Sequence, residues 1–265
     1  MRGLAALILT LLWAAPAPAQ TVPVTLPQGR YVAVPPPGWD GKAALPMLVY
    51  LHGYGDTPET VLADAPLMAA IGRAQVLAVL PEGERGSWSF RGAPDAGRDD
   101  IGFIDAVAAD AARRWPVDPK RVIAAGFSIG ASMVWDLACH RPDGFAAFLT
   151  FSGTFWLPYP EHCEGGPVSL RQVHGRDDHT FPMWGRPIGS HWRQGDTHKG
   201  FDILAAHDAC PVPVPRPGPD GLDCQVWSPC AGGHELELCI HTGDHYVNPA
   251  WVTSGLAWAL ARPAS

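Results

Sequence analysis

The chain has 265 residues, of which 47% are hydrophobic and 17% are charged, so it can bury a sizeable core and is neither a disordered nor a fibrous protein. Its 26 acidic and 19 basic residues give a formal net charge of −7. The sequence contains no block of lysine and arginine, and a protein that binds a nucleic-acid duplex needs clustered basic residues to neutralise phosphates. The composition therefore indicates a globular protein that does not bind nucleic acid.

The beginning of the chain has the features of an export signal. Arg2 precedes the apolar run 4–13, and Ala17-Pro18-Ala19 offers the small residues that signal peptidase accepts. Pro16 ends the apolar run well short of the roughly 18 residues that a membrane anchor needs. We expect a signal peptide over 1–19, a single domain over 20–265 that does not associate with membranes, and a secreted or periplasmic location.

Strands and helices are predicted to alternate along the domain. Apolar runs predict strands at 30–34, 47–51, 75–80, 121–125, 146–151 and 168–173, and a hairpin at 224–227 and 235–240. Helical spacing of apolar residues predicts helices at 57–72, 100–115, 129–140, 202–209 and 249–260. Because a parallel connection needs a crossover of this length, the alternation indicates βαβ units and an α/β fold with a mostly parallel sheet and helices on both faces.

A short motif with chemical potential joins strand 121–125 to the next helix. Gly126-Phe-Ser-Ile-Gly130 fits the pattern GxSxG, whose glycines allow a strained turn that pushes the serine out of the backbone. The N-terminus of the following helix faces developing negative charge. This context predicts that Ser128 is the nucleophile of an α/β-hydrolase. The alternative is a small-residue turn that merely lets helix and strand pack closely.

A serine hydroxyl is a weak nucleophile near neutral pH, so it needs a base and a third group that holds the base in place. In the α/β-hydrolase order both follow the serine along the chain. The predicted acid is Asp178, in the loop after strand 168–173, with Asp177 as the alternative. The predicted base is His245, in the loop before the last helix, with the strand residue His241 as the alternative.

The tetrahedral intermediate of acyl transfer needs hydrogen-bond donors for its oxyanion. The segment His52-Gly-Tyr-Gly-Asp56 follows strand 47–51, where this fold places one backbone amide of the oxyanion hole. The residue after the nucleophile supplies the other amide. We therefore expect the amides of Tyr54 and Ile129 to form the hole.

Two tryptophans in predicted loops, Trp88 and Trp184, are candidate substrate contacts, although ordinary packing beneath long loops explains such residues equally well. A metal site could be drawn from five residues: His174, Asp178, His179, His241 and His245. No helix places two histidines four residues apart, and the serine, histidine and aspartate already account for the same residues. We expect no metal and no cofactor.

All six cysteines lie in the second half of the chain, and export would place them in an oxidising compartment, where an even number indicates disulfides. The helix after the nucleophile and the loop after its neighbouring strand carry one pair, and the two arms of the hairpin carry another. The remaining two then join the helix at 202–209 to the hairpin. The predicted bonds are Cys139–Cys163, Cys224–Cys239 and Cys210–Cys230.

Together these segments resemble the secreted polyhydroxybutyrate depolymerase and feruloyl esterase type of α/β-hydrolase. The resemblance runs from about Leu45 to Trp258, through LHGYGDT, the PEG motif, RDDIGFIDAVAAD, VDPKRVIAAGFSIGAS, HGRDD and GDHYVNP. It implies ester hydrolysis with Ser128 as nucleophile, Asp178 as acid and His245 as base. Members often carry His-Thr-Trp-Pro in the last motif, whereas this chain has His-Tyr-Val-Asn-Pro, so we expect its pocket to differ.

The main hypothesis from the sequence is an exported serine esterase that forms an acyl-enzyme. Its substrates would be small or polymeric esters, such as polyhydroxyalkanoates or feruloyl and acetyl esters of polysaccharides. One alternative is a serine peptidase on the same fold. Another is a secreted polymer-binding protein that uses loop tryptophans without turnover. The intact order of serine, aspartate and histidine favours the enzyme.

Overall fold

The computed structural model describes residues 20–94 and 97–262, so the predicted export signal lies outside the described residues. The strands are β1 Val22–Leu26, β2 Gly29–Val34, β3 Leu45–Leu51, β4 Leu77–Pro81, β5 Val117–Phe127, β6 Ala147–Phe151, β7 Leu170–Gly175, β8 Pro187–Ile188, β9 Trp192–Arg193, β10 Val214–Pro217, β11 Asp223–Trp227 and β12 Leu236–His241. The helices are α1 Pro58–Ala63, α2 Ala65–Arg73, α3 Asp100–Arg114, α4 Ile129–His140, α5 Thr197–His207 and α6 Pro249–Leu260.

A ten-stranded sheet forms the middle layer, in the order β1-β2-β4-β3-β5-β6-β7-β12-β11-β10. The central strands from β4 to β12 are parallel, and antiparallel strands extend the sheet at both edges. The carboxyl ends of β3, β5, β7 and β12 therefore meet at one edge. In open α/β sheets this edge is where ligands bind.

Two apolar layers cover the sheet. The core on one face includes side chains of α3, α4 and α5, and the core on the other face includes side chains of α1, α2 and α6. Because both faces are covered, β3 and β4 are buried at every position, which explains why they appear in the sequence as unbroken apolar runs. The predicted α/β fold with helices on both faces is confirmed.

Several elements differ from the sequence-based prediction. The helix expected at 57–72 is two helices, because Asp64 leaves the helical conformation and its carboxylate accepts a hydrogen bond from the Leu67 amide at 3.0 Å. Helix α5 begins at Thr197 because Asp196 caps it through the His198 amide at 2.8 Å. Strands β1 and β10 were not expected, since both contain proline, which is tolerated in edge strands.

Three disulfides join the predicted partners: Cys139 to Cys163, Cys210 to Cys230 and Cys224 to Cys239. The last of these bridges neighbouring strands at a directly paired position of β11 and β12. Across the part of the chain that the structure describes, no helix combines the length and apolar character needed to cross a bilayer.

Candidate active site

The turn between β5 and α4 holds Ser128 in a strained conformation, with φ 57° and ψ −122°. A side chain here is sterically disfavoured and persists only because the surroundings fix it. A Cβ atom at Gly130 would collide with the carbonyl oxygen of Leu51, and one at Gly126 would lie 2.5 Å from the Gly130 carbonyl. Both glycines therefore permit the close approach of α4 to the sheet that raises Ser128 above the strand ends.

Ser128 lies in a hydrogen-bonded chain with His245 and Asp178. Its hydroxyl oxygen is 2.9 Å from His245 Nε2, and His245 Nδ1 is 2.7 Å from the Asp178 carboxylate. The Nδ1–H group of His245 donates to Asp178, which leaves Nε2 free to accept the Ser128 hydroxyl proton. The three residues come from the ends of β5, β7 and β12, so the parallel sheet brings together side chains that are far apart in sequence.

The two candidate acids have different surroundings. Asp178 is 4% exposed and its carboxylate accepts hydrogen bonds from the amides of Thr180 and Phe181, at 2.9 and 2.6 Å. Burial opposes ionisation of this carboxyl, but the hydrogen bonds from His245 and Phe181 outweigh it, so the pKa of Asp178 lies below its usual value. Asp177 is exposed and its amide only closes the loop to the Gly243 carbonyl. The structure therefore brings Asp178, and not Asp177, to the histidine.

Behind the acid loop lies a buried chain of hydrogen bonds. The side-chain oxygen of Gln172, Oε1, accepts from the Trp135 indole at 2.6 Å and from the Thr150 hydroxyl at 2.9 Å. The side-chain amide nitrogen of Gln172, Nε2, donates to His174 Nδ1 at 2.8 Å. His174 Nε2 in turn donates to the Phe181 carbonyl at 2.7 Å. These contacts anchor the loop that carries the acid to the sheet and to α4.

His174 stays neutral in this environment. Its ring is fully buried, and His174 Nε2 lies 3.6 Å from the Asp178 carboxylate. Burial lowers the pKa of His174 to about 4, although the Phe181 carbonyl and Asp178 oppose that effect. His174 therefore supports the acid loop without competing with His245 for the charge of Asp178.

The loop after β12 orients the base. Asp244 accepts hydrogen bonds from the amides of His245 and His179, at 2.8 and 2.9 Å. His241, the alternative base, accepts from the Gly243 amide at 2.9 Å and packs against the Trp251 ring at 4.2 Å between centroids. Its ring is therefore engaged in the turn, and His245 is the histidine that reaches the serine.

The loop after β3 is held by buried contacts. His52 Nε2 accepts from the Gly83 amide at 2.9 Å, and the Trp88 indole donates to the His52 carbonyl at 2.9 Å. Gly55 donates to the Gly86 carbonyl at 2.8 Å. Tyr54 lies at the exposed tip of this loop. These contacts fix the backbone whose amide is a candidate oxyanion donor.

The structure corrects the prediction that Trp88 contacts substrate. Trp88 is 0% exposed and packs beneath the loop after β3, with its ring 5.0 Å from that of His52. Its large apolar surface and its single indole donor are both satisfied inside the protein. Trp88 therefore supports the loop and cannot reach a bound ligand.

Trp184 is 67% exposed and lines a groove of about 820 Å³ between the loop after β7, the start of α5 and the edge strand β10. Neither Ser128 nor His245 lines this groove. A second cavity, of about 350 Å³, is lined by His245 and by residues of the loop after β3. Contact between Trp184 and a substrate stays a prediction.

Sequence reasoning did not assign the supporting residues. His174 is recognisable as the first residue of the HGRDD motif, and His52 as the first residue of HGYGD. The sequence contains no comparable signal for Gln172, because its role depends on contacts with α4 and β6 that only the folded chain brings together.

No family model matches the chain, but a comparison with known proteins finds relatives that are named as esterases. The putative esterase NocK of Nocardia uniformis is 33% identical over 147 residues, which cover 53% of this chain and 42% of NocK. The probable feruloyl esterase C of Aspergillus clavatus is 28% identical over 59% of this chain and 57% of its own length. The chain thus spans about half the length of these two relatives.

A longer alignment exists with feruloyl esterase C of Emericella nidulans, which is 28% identical over 91% of this chain and 85% of that protein. Among solved structures, an acetyl xylan esterase from Aspergillus awamori superimposes with a TM-score of 0.63 and 14% identity, covering 89% of this chain and 99% of that one. A feruloyl esterase module of Clostridium thermocellum superimposes with a TM-score of 0.61 and 14% identity. The superposition covers 93% of this chain and 92% of that module.

The protein has the α/β-hydrolase fold, with a serine, a histidine and an aspartate in a hydrogen-bonded chain at its strand ends. Within that class it is similar to the feruloyl esterases, as the sequence motifs predict.

Proposed function

We propose that the protein is an exported serine esterase that hydrolyses carboxylic esters through an acyl-enzyme. The observation that carries the proposal is the continuous hydrogen-bonded chain from Ser128 through His245 to Asp178, with spacings of 2.9 and 2.7 Å. The relatives named as esterases support the reaction class. Three disulfides support folding in an oxidising compartment, and hence export.

In the first half of the reaction, Ser128 Oγ attacks the ester carbonyl carbon while His245 Nε2 takes the hydroxyl proton. The carbonyl electron pair moves to the oxygen, where the amides of Tyr54 and Ile129 are the proposed donors. When the tetrahedral intermediate collapses, the bond to the alcohol oxygen breaks and His245 gives that oxygen its proton. Asp178 stabilises the charged imidazole throughout.

In the second half, water attacks the acyl-enzyme and His245 takes one water proton. Collapse breaks the bond to Ser128 Oγ, which recovers its proton from His245, and the carboxylic acid leaves. The proposed acyl groups are feruloyl and acetyl, because the relatives and the solved structures with this fold include feruloyl esterases and an acetyl xylan esterase. No step requires a metal or a cofactor.

The test is Ser128→Ala, assayed on p-nitrophenyl acetate and methyl ferulate and labelled with a fluorophosphonate probe. We expect ester hydrolysis to fall by at least about 1,000-fold and labelling to disappear, with an unchanged circular dichroism spectrum. The exposed Ser190→Ala variant is the control and should keep both. Full activity in Ser128→Ala, or a folded wild-type protein that the probe does not label, would contradict the proposal and favour a binding protein.

A further inference from the structure

The cavity beside His245 has no role in the reaction as described so far. It has a volume of about 350 Å³ and lies between helices α1 and α2, the loop after β3 and the loop after β12. This volume is within the range of small-molecule sites. The lining residues are Tyr50, His52, Gly53, Asp56, Thr60, Val61, Asp64, Leu67, Phe127, His245, Tyr246 and Val247.

Polar groups in this cavity lack partners within the protein. Tyr50 is 3% exposed, yet among residues 20–94 and 97–262 its hydroxyl has no hydrogen-bond partner. The hydroxyl oxygen is not sealed in the core but opens into the cavity, where a ligand can reach it. The half-buried carboxylate of Asp56 also accepts no side-chain or backbone hydrogen bond from a described residue. Both groups are available to a ligand.

The permanently charged side chains that line the cavity are negative. Its lining includes the carboxylates of Asp56 and Asp64 and no lysine or arginine. Asp64 uses one carboxylate oxygen to cap α2 through the Leu67 amide, which leaves the other oxygen free. Burial lowers the pKa of the neighbouring His52 and so favours its neutral form. An anionic group placed here would meet the half-buried carboxylate of Asp56 and the exposed carboxylate of Asp64, with no lysine or arginine in the lining to compensate them.

The position of the cavity identifies which part of an ester it can receive. In the proposed reaction His245 gives its proton to the leaving alcohol oxygen, so that oxygen must come within hydrogen-bond distance of the ring. The ring of His245 is part of the cavity wall, and it packs 4.7 Å from the ring of Phe127, which also lines the cavity. Ser128 does not line the cavity, so the link between this space and the reacting ester is the His245 ring, which must approach the leaving alcohol oxygen.

We propose that this cavity binds the alcohol portion of the ester, and that Asp56, Asp64 and Tyr50 select alcohols that carry hydroxyl groups and no negative charge. Carboxylate and phenol oxygens accept hydrogen bonds from ligand hydroxyls, and the Tyr50 hydroxyl can also donate. The same carboxylates repel an anionic alcohol. This inference rests on the proposed esterase function and specifies the substrate for that site.

The first test compares three acetate esters, so that the acyl group is constant: ethyl acetate, glyceryl monoacetate and the anionic O-acetyl-lactate. In the double variant Asp56→Asn/Asp64→Asn we expect the kcat/KM for O-acetyl-lactate, relative to ethyl acetate, to rise about tenfold as the repulsion is removed. Asparagine also caps helices, so α2 should remain intact. The control is Asp143→Asn/Asp202→Asn, which removes two exposed charges elsewhere and should leave the ratio unchanged.

The second test is Tyr50→Phe, which removes only the hydroxyl. We expect the kcat/KM for glyceryl monoacetate, relative to ethyl acetate, to fall about five- to tenfold through the loss of one hydrogen bond to the ligand. The ratio of kcat/KM for ethyl butyrate to kcat/KM for ethyl acetate should stay unchanged in both variants, since these esters differ only in the acyl group.

If the variants fold and the kcat/KM ratios between acetate esters of different alcohols do not change, the inference is overturned. A change confined to the ratio of ethyl butyrate to ethyl acetate would also overturn it, because that result would make the cavity an acyl site. These outcomes leave the esterase proposal standing, which fails separately if the wild-type protein hydrolyses none of the esters or if Ser128→Ala hydrolyses them equally well.

Discussion

Two adjacent aspartates show how strongly position controls the role of a side chain. Asp178 is buried and bonded to His245, whereas Asp177 is exposed on the same loop. A carboxylate that orients a catalytic histidine fixes its tautomer and stabilises its charged form, and an asparagine in its place favours the wrong tautomer.

We therefore expect Asp178→Asn to lower kcat on p-nitrophenyl acetate by about 1,000- to 10,000-fold. Asp177→Asn removes the same charge from the neighbouring position and should change kcat by less than about twofold, since the residue lies on the surface. Initial-rate measurements on the two purified variants check this. Equal losses in the two variants would show that Asp178 is not the acid.

His174 is a second residue whose surroundings determine its behaviour. Because burial lowers its pKa from 6.5 to about 4 in the folded protein, the unfolded chain binds more protons than the folded chain between these pH values. Its contribution to stability is therefore complete above pH 6.5 and is lost as the pH falls towards 4. The loss is on the order of 3 kcal/mol.

His174→Asn keeps one donor and one acceptor but cannot be protonated in this range. We expect the variant to be less stable than the wild type at pH 7, because a buried contact is disturbed, and to show a smaller loss of stability between pH 6.5 and pH 4. The free energy of unfolding in urea, measured across this range, tests the expectation. The exposed His191→Asn variant should keep the wild-type slope, and the same slope in His174→Asn would contradict the assignment.

At the scale of elements, the turn from β5 into α4 depends on the distance between that helix and the strand beside it. The first turn of α4 lies against the end of β3, and a Cβ atom at Gly130 would clash with the carbonyl oxygens of Leu51 and His52. Backbone oxygens at the end of a central strand cannot move aside without disturbing the sheet and the loop after β3.

Gly130→Ala should therefore lower the free energy of unfolding by more than about 2 kcal/mol, and esterase activity should fall with it because both Ser128 and the loop after β3 are displaced. Gly166→Ala is the matched control, since a Cβ atom there meets no atom within 4 Å. Thermal unfolding and assays on p-nitrophenyl acetate distinguish the two. A Gly130→Ala variant with wild-type stability would show that α4 can shift freely.

At the scale of the whole molecule, the three disulfides join cysteines that are 15 to 24 residues apart in the second half of the chain. Cys210 is half-buried, whereas the other five cysteines are buried. Exchange requires a thiolate to reach the disulfide sulfur, so access favours reduction of Cys210–Cys230. The buried Cys224–Cys239 bond lies on β12, whose end at His241 leads into the loop that carries His245.

We expect mild reductant to open Cys210–Cys230 first, with little change in activity, and stronger reductant to open Cys224–Cys239 with loss of activity as the His245 loop loosens. Each bond closes a loop worth roughly 3 kcal/mol in the chain-entropy model. Differential alkylation followed by peptide mapping, with activity measured in parallel, checks the order. Loss of activity on opening Cys210–Cys230 alone would contradict this account.

The sequence by itself determined the α/β fold and the strand, turn and helix around Ser128. These features depend on local signals: unbroken apolar runs for strands covered on both faces, helical spacing between them, and glycines where the turn needs them. The edge strands β1 and β10 escaped prediction because proline and polar residues hide the pattern in strands that are not covered on both sides.

Only the tertiary structure decided between Asp177 and Asp178, and between His241 and His245. Each pair carries the same chemistry within a few residues, and the choice depends on which side chain the end of a strand turns towards Ser128. The burial of Trp88 and the grouping of Tyr50, Asp56 and Asp64 around one cavity likewise depend on packing between segments distant in sequence. Such contacts have no local signal, because they exist only after the sheet has brought its loops to one edge.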